Sequence, residues 1–388
     1  MCCLWHNRPR GKGEDSLNQL NITVPTLFGL ESVVGFEARR LGAENVTLSD
    51  GKVEFTGDLS TVAKANLWLR CGERVLLTLA KFPARSFEEL FQGVKAIPWE
   101  EFLAKEDAFP VKGHALNSQL HSVPDCQSVI KKACVERLKQ HYGISWFPES
   151  GSLHSIQFSI RNDQAAIMLD TSGSGLHKRG YRKNALGAPI KETLAAGILD
   201  LARVGKETVL CDPFCGSGTF LIEGALRALN IAPGLNRRFA CEQWGLFDEA
   251  IFRQARQEAL DAIDKSAPFR AYGYDLDEEA VALSLQNLKK AGVGSRVQVQ
   301  RRDVREFAPP CEGPVTIVTN PPYGERLLER EEAQELYRAI GPLFSRPSLK
   351  TYLITPEEDF ESLFGRPADK RRKLYNGMIR CQLYMYWK

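Results

Sequence analysis

The stretch that decides the fold is Val209-Leu210-Cys211-Asp212-Pro213-Phe214-Cys215-Gly216-Ser217-Gly218-Thr219-Phe220-Leu221-Ile222. A short apolar run suited to a strand leads into a glycine-rich turn, and the turn opens into an apolar helix. Gly216 and Gly218 let a ligand approach the backbone closely at the carboxyl end of a strand, where open α/β sheets bind their ligands. No Gly-Lys-Ser/Thr follows, so the turn is not a phosphate loop, and the third glycine of the dinucleotide fingerprint is missing. Asp212 would repel a pyrophosphate but suits a cationic ligand, and S-adenosylmethionine carries both an ammonium and a sulfonium. The bland alternative is a purely structural turn, against which the Asp-Pro-Phe prefix argues.

Outward from this turn, helices and strands alternate from Pro189 onward, the signature of a parallel α/β sheet. The next strand ends at Gly273-Tyr274-Asp275-Leu276-Asp277. An acid at the end of the second strand is placed to bind a ribose diol. Asp275 lies far beyond the ~20-residue spacing of a simple dinucleotide fold, so an insertion is expected near residues 230–268. Helix capping is the competing use of the acids here, and Asp277 suits it better, ahead of Glu278 and Glu279. Asp303 follows the third strand, where an adenine amino group would lie; by itself it reads as a loop acid. Asn376-Gly377 between two strand-like runs predicts an antiparallel hairpin at the end of the sheet.

The fourth strand ends Asn320-Pro321-Pro322-Tyr323. Paired prolines stiffen the backbone and remove two N–H groups, leaving the Asn320 side-chain oxygen and the Pro321 carbonyl as fixed acceptors. Two such acceptors can hold the hydrogens of an exocyclic amine, and Tyr323 can stack on a base taken out of its helix. A rigid strand exit is the alternative. Cys215 sits in the cofactor turn, not beside these acceptors, so packing is its expected role rather than nucleophilic attack.

The preceding half reads as two small α+β units, residues 20–84 and 85–170, after an aperiodic leader, residues 1–19. The helix Asp125–Tyr142 carries a basic face including Lys131 and Lys132, which is either a solvated face or a nucleic-acid contact. Residues 171–188 form a basic, Gly/Ser-rich linker in which Lys178, Arg179, Arg182 and Lys183 surround Tyr181. Cations beside an aromatic ring are what single-stranded RNA recognition uses; an ordinary linker is the competing reading.

Composition bounds these readings. At 388 residues and roughly 150 residues per domain, two or three domains are expected. The 51 basic and 48 acidic side chains give a net charge of +3, which excludes a polybasic nucleic-acid coat but not a local patch. Residues 171–191 hold five basic and no acidic side chains, and 366–373 hold five against one. Ten cysteines occur without any Cys-x-x-Cys pair or clustered histidines, so no metal site is expected, and a reducing cytoplasm fits best. No apolar run approaches the length of a membrane span, and no membrane association is expected.

The motifs Asp-Pro-Phe-Cys-Gly-Ser-Gly-Thr219, Asn320-Pro-Pro-Tyr-Gly-Glu-Arg326, Lys178-Arg-Gly-Tyr-Arg182 and Ser118-x-Leu-x-Ser-x-Pro-Asp-Cys126-Gln resemble the THUMP-domain class I RNA methyltransferases. The branch they resemble most methylates guanine N2 in bacterial large-subunit (23S) ribosomal RNA, and its members are often labelled N6-adenine DNA methylases. The resemblance covers the chain from about Asn21. It implies a Rossmann-like α/β methyltransferase domain over 189–388, mostly parallel with an antiparallel C-terminal hairpin, preceded by ferredoxin-like and THUMP units. It further implies S-adenosylmethionine as cofactor. Asp212, Phe214, Gly216, Ser217 and Gly218 would hold its methionine end, with Lys191 reaching the same place. Asp275 and Leu276 would meet the ribose, Asp303 and Val304 the adenine, and Asn320 to Tyr323 the target amine. The partner implied is RNA, with Lys131, Lys132, Lys178, Arg179, Arg182 and Lys183 as candidate contacts. Competing functions are an N6-adenine DNA methyltransferase, a tRNA guanine-N2 methyltransferase and a non-catalytic ribosome-assembly factor.

Overall fold

A computed structural model describes residues 19–182, 189–324 and 327–387. The N-terminal half begins β1 (Leu20–Pro25), α1 (Glu31–Arg40), β2 (Glu44–Ser49), β3 (Lys52–Gly57), α2 (Leu59–Trp68) and β4 (Leu76–Pro83). It continues α3 (Phe87–Lys95), β5 (Val111–Leu116), α4 (Val123–Tyr142), β6 (Ile156–Arg161) and β7 (Gln164–Asp170). These strands form one sheet in the order β2-β3-β1-β4-β7-β6-β5. It runs without a break across the residue 84/85 division read from sequence, because β4 pairs antiparallel with β7 from Leu76↔Asp170 to Pro83↔Gln164.

Local chemistry explains the element ends. Asp58 accepts the Thr61 N–H at 2.7 Å and starts α2, while Ser86 does the same for α3. α4 starts earlier than its apolar pattern predicts. Ser122 is the N-cap position and Pro124 lies in the first turn, so Asp125 is inside the helix. A first-turn proline loses no intrahelical hydrogen bond. Gly143, left-handed at φ +65°, ends that helix as expected.

The second half runs α5 (Glu192–Leu201), β8 (Val209–Asp212), α6 (Thr219–Ala228), α7 (Glu249–Asp261), β9 (Arg270–Asp275) and α8 (Glu278–Ala291). There follow β10 (Val297–Arg301), β11 (Val315–Thr319), α9 (Leu327–Phe344), β12 (Leu349–Thr355), α10 (Phe360–Phe364), β13 (Lys370–Asn376) and β14 (Ile379–Tyr386). The sheet order is β10-β9-β8-β11-β12-β14-β13. β8 to β12 are parallel, and β14 returns antiparallel to β12 with β13 antiparallel beside it. The hairpin turn is Gly377-Met378 rather than Asn376-Gly377: Asn376 stays in the ladder opposite Ile379, and Gly377 takes φ +64°.

α5 and α6 are buried nearly all round, through Leu194, Ile198, Leu199, Phe220, Leu221 and Ile222. Each large apolar side chain so buried contributes roughly 1.5–3 kcal/mol. The two halves are packed together. Leu30 lies against Gly197 of α5, so close that an added Cβ there would meet Leu30 Cδ1 at 2.4 Å. The insertion ahead of β9 turns toward the N-terminal sheet, where Trp244 stacks on His154 with ring centroids 4.4 Å apart. No helix among the described residues is long and apolar enough to cross a membrane.

Candidate active site

From β8 the strand order runs one way through β9 and β10 and the other way through β11. β8 and β11 therefore flank a topological switch point, where a crevice opens at the carboxyl ends of the strands. Asp212 ends β8 and Thr319 ends β11, and the Thr319 hydroxyl donates to Asp212 Oδ1 at 2.7 Å. The backbone N–H of Phe214 donates to the same oxygen at 3.2 Å. Among the described residues no cationic side chain pairs with this carboxylate. Burial pushes its pKa up to about 7, the two hydrogen bonds opposing that rise.

The glycine turn is held from behind by α8. Ser284 Oγ donates to the Gly216 carbonyl at 2.7 Å, and Asn287 Nδ2 donates to the Ser217 carbonyl at 3.0 Å. These buried polar residues stand at i and i+3 on the inner face of a helix, a signal that sequence reading passed over. Gly216 and Gly218 have φ of +49° and +79°. An added Cβ on Gly216 would meet nothing within 4 Å, so the turn leaves open space beside its backbone. Cys215 is buried beside Ser284, and burial raises its thiol pKa.

Asp275 ends β9 with both oxygens bound by backbone: Oδ2 accepts the Gly216 N–H at 2.8 Å and Oδ1 the Asp277 N–H at 3.0 Å. Asp277 is the helix cap, accepting the Glu279 N–H at 2.9 Å. Asp303 accepts the Arg305 N–H at 2.9 Å, ahead of buried Val304. Two adjoining recesses result. The larger, of about 700 Å³, is lined by Phe214, Asp275, Leu276, Asp303, Val304 and the whole Asn320–Tyr323 segment. The smaller, of about 160 Å³, is lined by Asp212, Phe214, Gly216, Ser217 and Asn320 among others. Phe214 and Asn320 belong to both. Arg302, which sequence reading did not single out, lines the larger recess with its guanidinium 4.5 Å over the Tyr274 ring.

The Asn320–Tyr323 segment is fixed from outside. Tyr337 on α9 donates its hydroxyl to the Pro322 carbonyl at 2.9 Å, and Asn376 Nδ2 reaches the Tyr323 hydroxyl at 3.3 Å.

Several expected contacts are corrected. Lys191 lines neither recess; its ammonium is 3.3 Å from Glu73. Arg179 is buried, 3.4 Å from Glu223, and donates to the Leu176 and Arg70 carbonyls, so it cannot offer its charge to a phosphate. Arg182 is also turned inward, donating to the Ile190 carbonyl and to Thr219 Oγ1. Tyr181, read as a stacking ring, is buried with its hydroxyl donating to Glu223 at 3.0 Å. Lys131 sits over the Phe109 ring and is 2.6 Å from Glu149. Lys132 and Lys178 are exposed, and Lys183 lies outside the described residues. No group of metal-ligating side chains is assembled among the described residues.

The residues present fit S-adenosylmethionine: a buried carboxylate lacking a cation, a turn backbone open at Gly216, and an acid at the end of β9 facing the larger recess. Fold and site together define a class I S-adenosylmethionine-dependent methyltransferase domain joined to ferredoxin-like and THUMP units.

Residues 179–385 match the RMKL-like methyltransferase domain, 21–76 the RlmL ferredoxin-like domain and 84–170 the THUMP domain. The chain belongs to the RMKL-like methyltransferase family. It is 43% identical over 363 residues to YpsC of Bacillus subtilis (strain 168), which carries a provisional RNA-methyltransferase name, covering 93% of this chain and 94% of YpsC. It is 34% identical over 381 residues to the ribosomal RNA large subunit methyltransferase K/L of Psychromonas ingrahamii, covering 95% of this chain. The chain spans only 50% of that relative's length. The crystal structure of SMU.472, a methyltransferase by name and complexed with SAH, superposes with a TM-score of 0.90 at 39% identity, covering 95% of this chain and 98% of that one.

Proposed function

We propose that the chain transfers a methyl group from S-adenosylmethionine to the exocyclic N2 of a guanine in 23S ribosomal RNA, in the cytoplasm. The observation that carries this reading is that Asn320–Tyr323 lines the same recess as Asp275, Asp303 and Val304. An amine-binding segment beside a nucleoside-binding one is what methyl transfer to a base requires. The ribosomal RNA names of the K/L relatives and the THUMP unit support RNA as the substrate, and the branch resemblance supports guanine N2.

S-adenosylmethionine, when bound, supplies the methyl group on an activated sulfonium. Asp212 would hold the positive methionine end, Asp275 the ribose hydroxyls, and Asp303 with the Val304 backbone the adenine. Asn320 Oδ1 and the Pro321 carbonyl accept the hydrogens of the target amine and aim its lone pair along the displacement line. Tyr323 stacks on the extruded base. Catalysis is then chiefly positioning, and rigidity is its requirement. The prolines and the Tyr337 hydrogen bond supply that rigidity.

Incubation with methyl-labelled S-adenosylmethionine and unmodified ribosomal RNA, transfer RNA or DNA, followed by nucleoside analysis, tests the reading. Label in N2-methylguanosine from ribosomal RNA is expected. Label in N6-methyladenine, or in DNA alone, overturns it. Asn320→Ala is expected to lower transfer at least a hundredfold while S-adenosylhomocysteine binding stays within about threefold of the unaltered chain, a split that isolates amine positioning from cofactor binding.

A further inference from the structure

A second concave surface lies beside the active-site mouth. The β1–α1 turn, Leu27-Phe28-Gly29, faces the hairpin residues Lys373, Tyr375 and Met378 across a cleft of about 670 Å³. This cleft is formed by close packing of the two segments: an added Cβ on Gly29, at φ +91°, would meet the Lys373 carbonyl at 2.7 Å. Phe28 and Tyr375 present rings 6.1 Å apart, tilted by 60°. Phe28 is 51% exposed and Met378 97% exposed, which is a large apolar surface to leave in water.

Charge and position indicate what covers it. Residues 370–380 hold five basic and no acidic side chains. Of these, Arg371 pairs with Glu361, whereas Lys373 stands exposed with its ammonium 5.4 Å from the Tyr375 ring. The next residue but two after Lys373, Asn376, touches the Tyr323 hydroxyl. Asn376 stands between Tyr375 and Gly377, which line the cleft, so one hairpin residue separates the cleft from the Asn320–Tyr323 segment. Aromatic rings bordered by cations are a sequence-tolerant platform for unpaired bases and their phosphates, and about 300–1,000 Å³ is the usual size of a small-ligand pocket.

We infer that this cleft holds an unstacked base next to the target nucleotide, with Phe28, Tyr375 and Met378 against the ring and Lys373 at its phosphate. The inference rests on the RNA-methyltransferase reading and deepens it. Such a site grips the neighbour while the target is extruded, so the substrate presents a single-stranded or bulged element, not an uninterrupted duplex.

The test measures affinity for unmodified 23S ribosomal RNA, methyl-transfer kinetics and sedimentation for the full chain and three variants. Phe28→Ala and Met378→Ser are each expected to raise the RNA Kd and KM about tenfold, as loss of one base-stacking contact does. S-adenosylhomocysteine affinity and kcat at saturating RNA should stay within about twofold. Phe28→Trp is expected to restore RNA affinity, which a role in folding alone would not explain. Unchanged RNA affinity in both truncations, with the unaltered chain active, overturns the inference and leaves the parent reading standing. Loss of a dimer with unchanged RNA affinity overturns it in favour of a self-association face. Failure of the unaltered chain to bind or methylate RNA overturns the parent reading, and this one with it.

Discussion

Asp212 couples stability to pH and, in the proposed reading, both to ligand binding. Its carboxyl is buried at the switch point and its pKa is raised to about 7, far above the usual carboxylate value. The folded state therefore binds a proton more tightly than the unfolded chain does. The associated stability is fully present below about pH 4 and is lost as pH rises through about 7. Asp212→Asn is neutral at every pH. It should leave thermal stability unchanged at pH 4 and increase it at pH 8 by up to about 4 kcal/mol, at roughly 1.4 kcal/mol per pKa unit. A cationic ligand favours the carboxylate, so S-adenosylmethionine affinity should rise with pH through about 7 and level off above it. Titration calorimetry at pH 5.5 and 8 checks this, and an Asn variant retaining the same pH dependence would assign it to another group.

At the scale of elements, α9 connects the Asn320–Tyr323 segment to the body of the domain. Tyr337 reaches the Pro322 carbonyl, and one turn later Gly341 packs against α10, where an added Cβ would lie 2.1 Å from the Phe364 carbonyl. Backbone cannot give way as a flexible side chain can. Gly341→Ala is expected to destabilise the chain by about 1–3 kcal/mol despite its better helix propensity, read as a lower urea midpoint. The sequence pattern places this helix at Ala333–Leu343, whereas it begins at Leu327. The charged run Glu329-Arg330-Glu331-Glu332 carries no apolar period, yet it is held by tertiary contacts such as Arg330 with Glu357 at 3.1 Å.

Across the whole molecule, the joint between the sheets is a buried polar lock. Arg179 and Tyr181 converge on Glu223 of α6, and Arg70 from the N-terminal half donates to the Ile231 carbonyl at 2.8 Å. The described part of the stretch read as a linker is threaded through this joint, with Thr171, Ser172 and Leu176 also buried. Glu223→Ala leaves the Arg179 charge buried and uncompensated, at an expected cost of about 3–5 kcal/mol. With the lock intact, calorimetry should show one cooperative transition for both sheets; two separate transitions would show that the joint does not couple them.

What the sequence determined by itself lies close together along the chain. The strand–turn–helix around Asp212, the parallel rhythm, the C-terminal hairpin and the acids ending β8 and β9 are set by period and turn chemistry, which act over a few residues. The segments proposed for the cofactor and the amine are legible for the same reason, since each occupies the end of one strand. Tertiary structure decided which charges face solvent. Arg179, Arg182 and Lys191 look like free cations in a Gly-rich basic stretch, but Glu223 and Thr219, 44 and 37 residues away, turn the two arginines inward, and Glu73, 118 residues away, pairs with the still partly exposed Lys191. It likewise decided that Ser284, Asn287 and Tyr337 serve the site and that Phe28 meets Tyr375. A sequence records a side chain's charge and shape, while burial and pairing depend on what the fold brings against it.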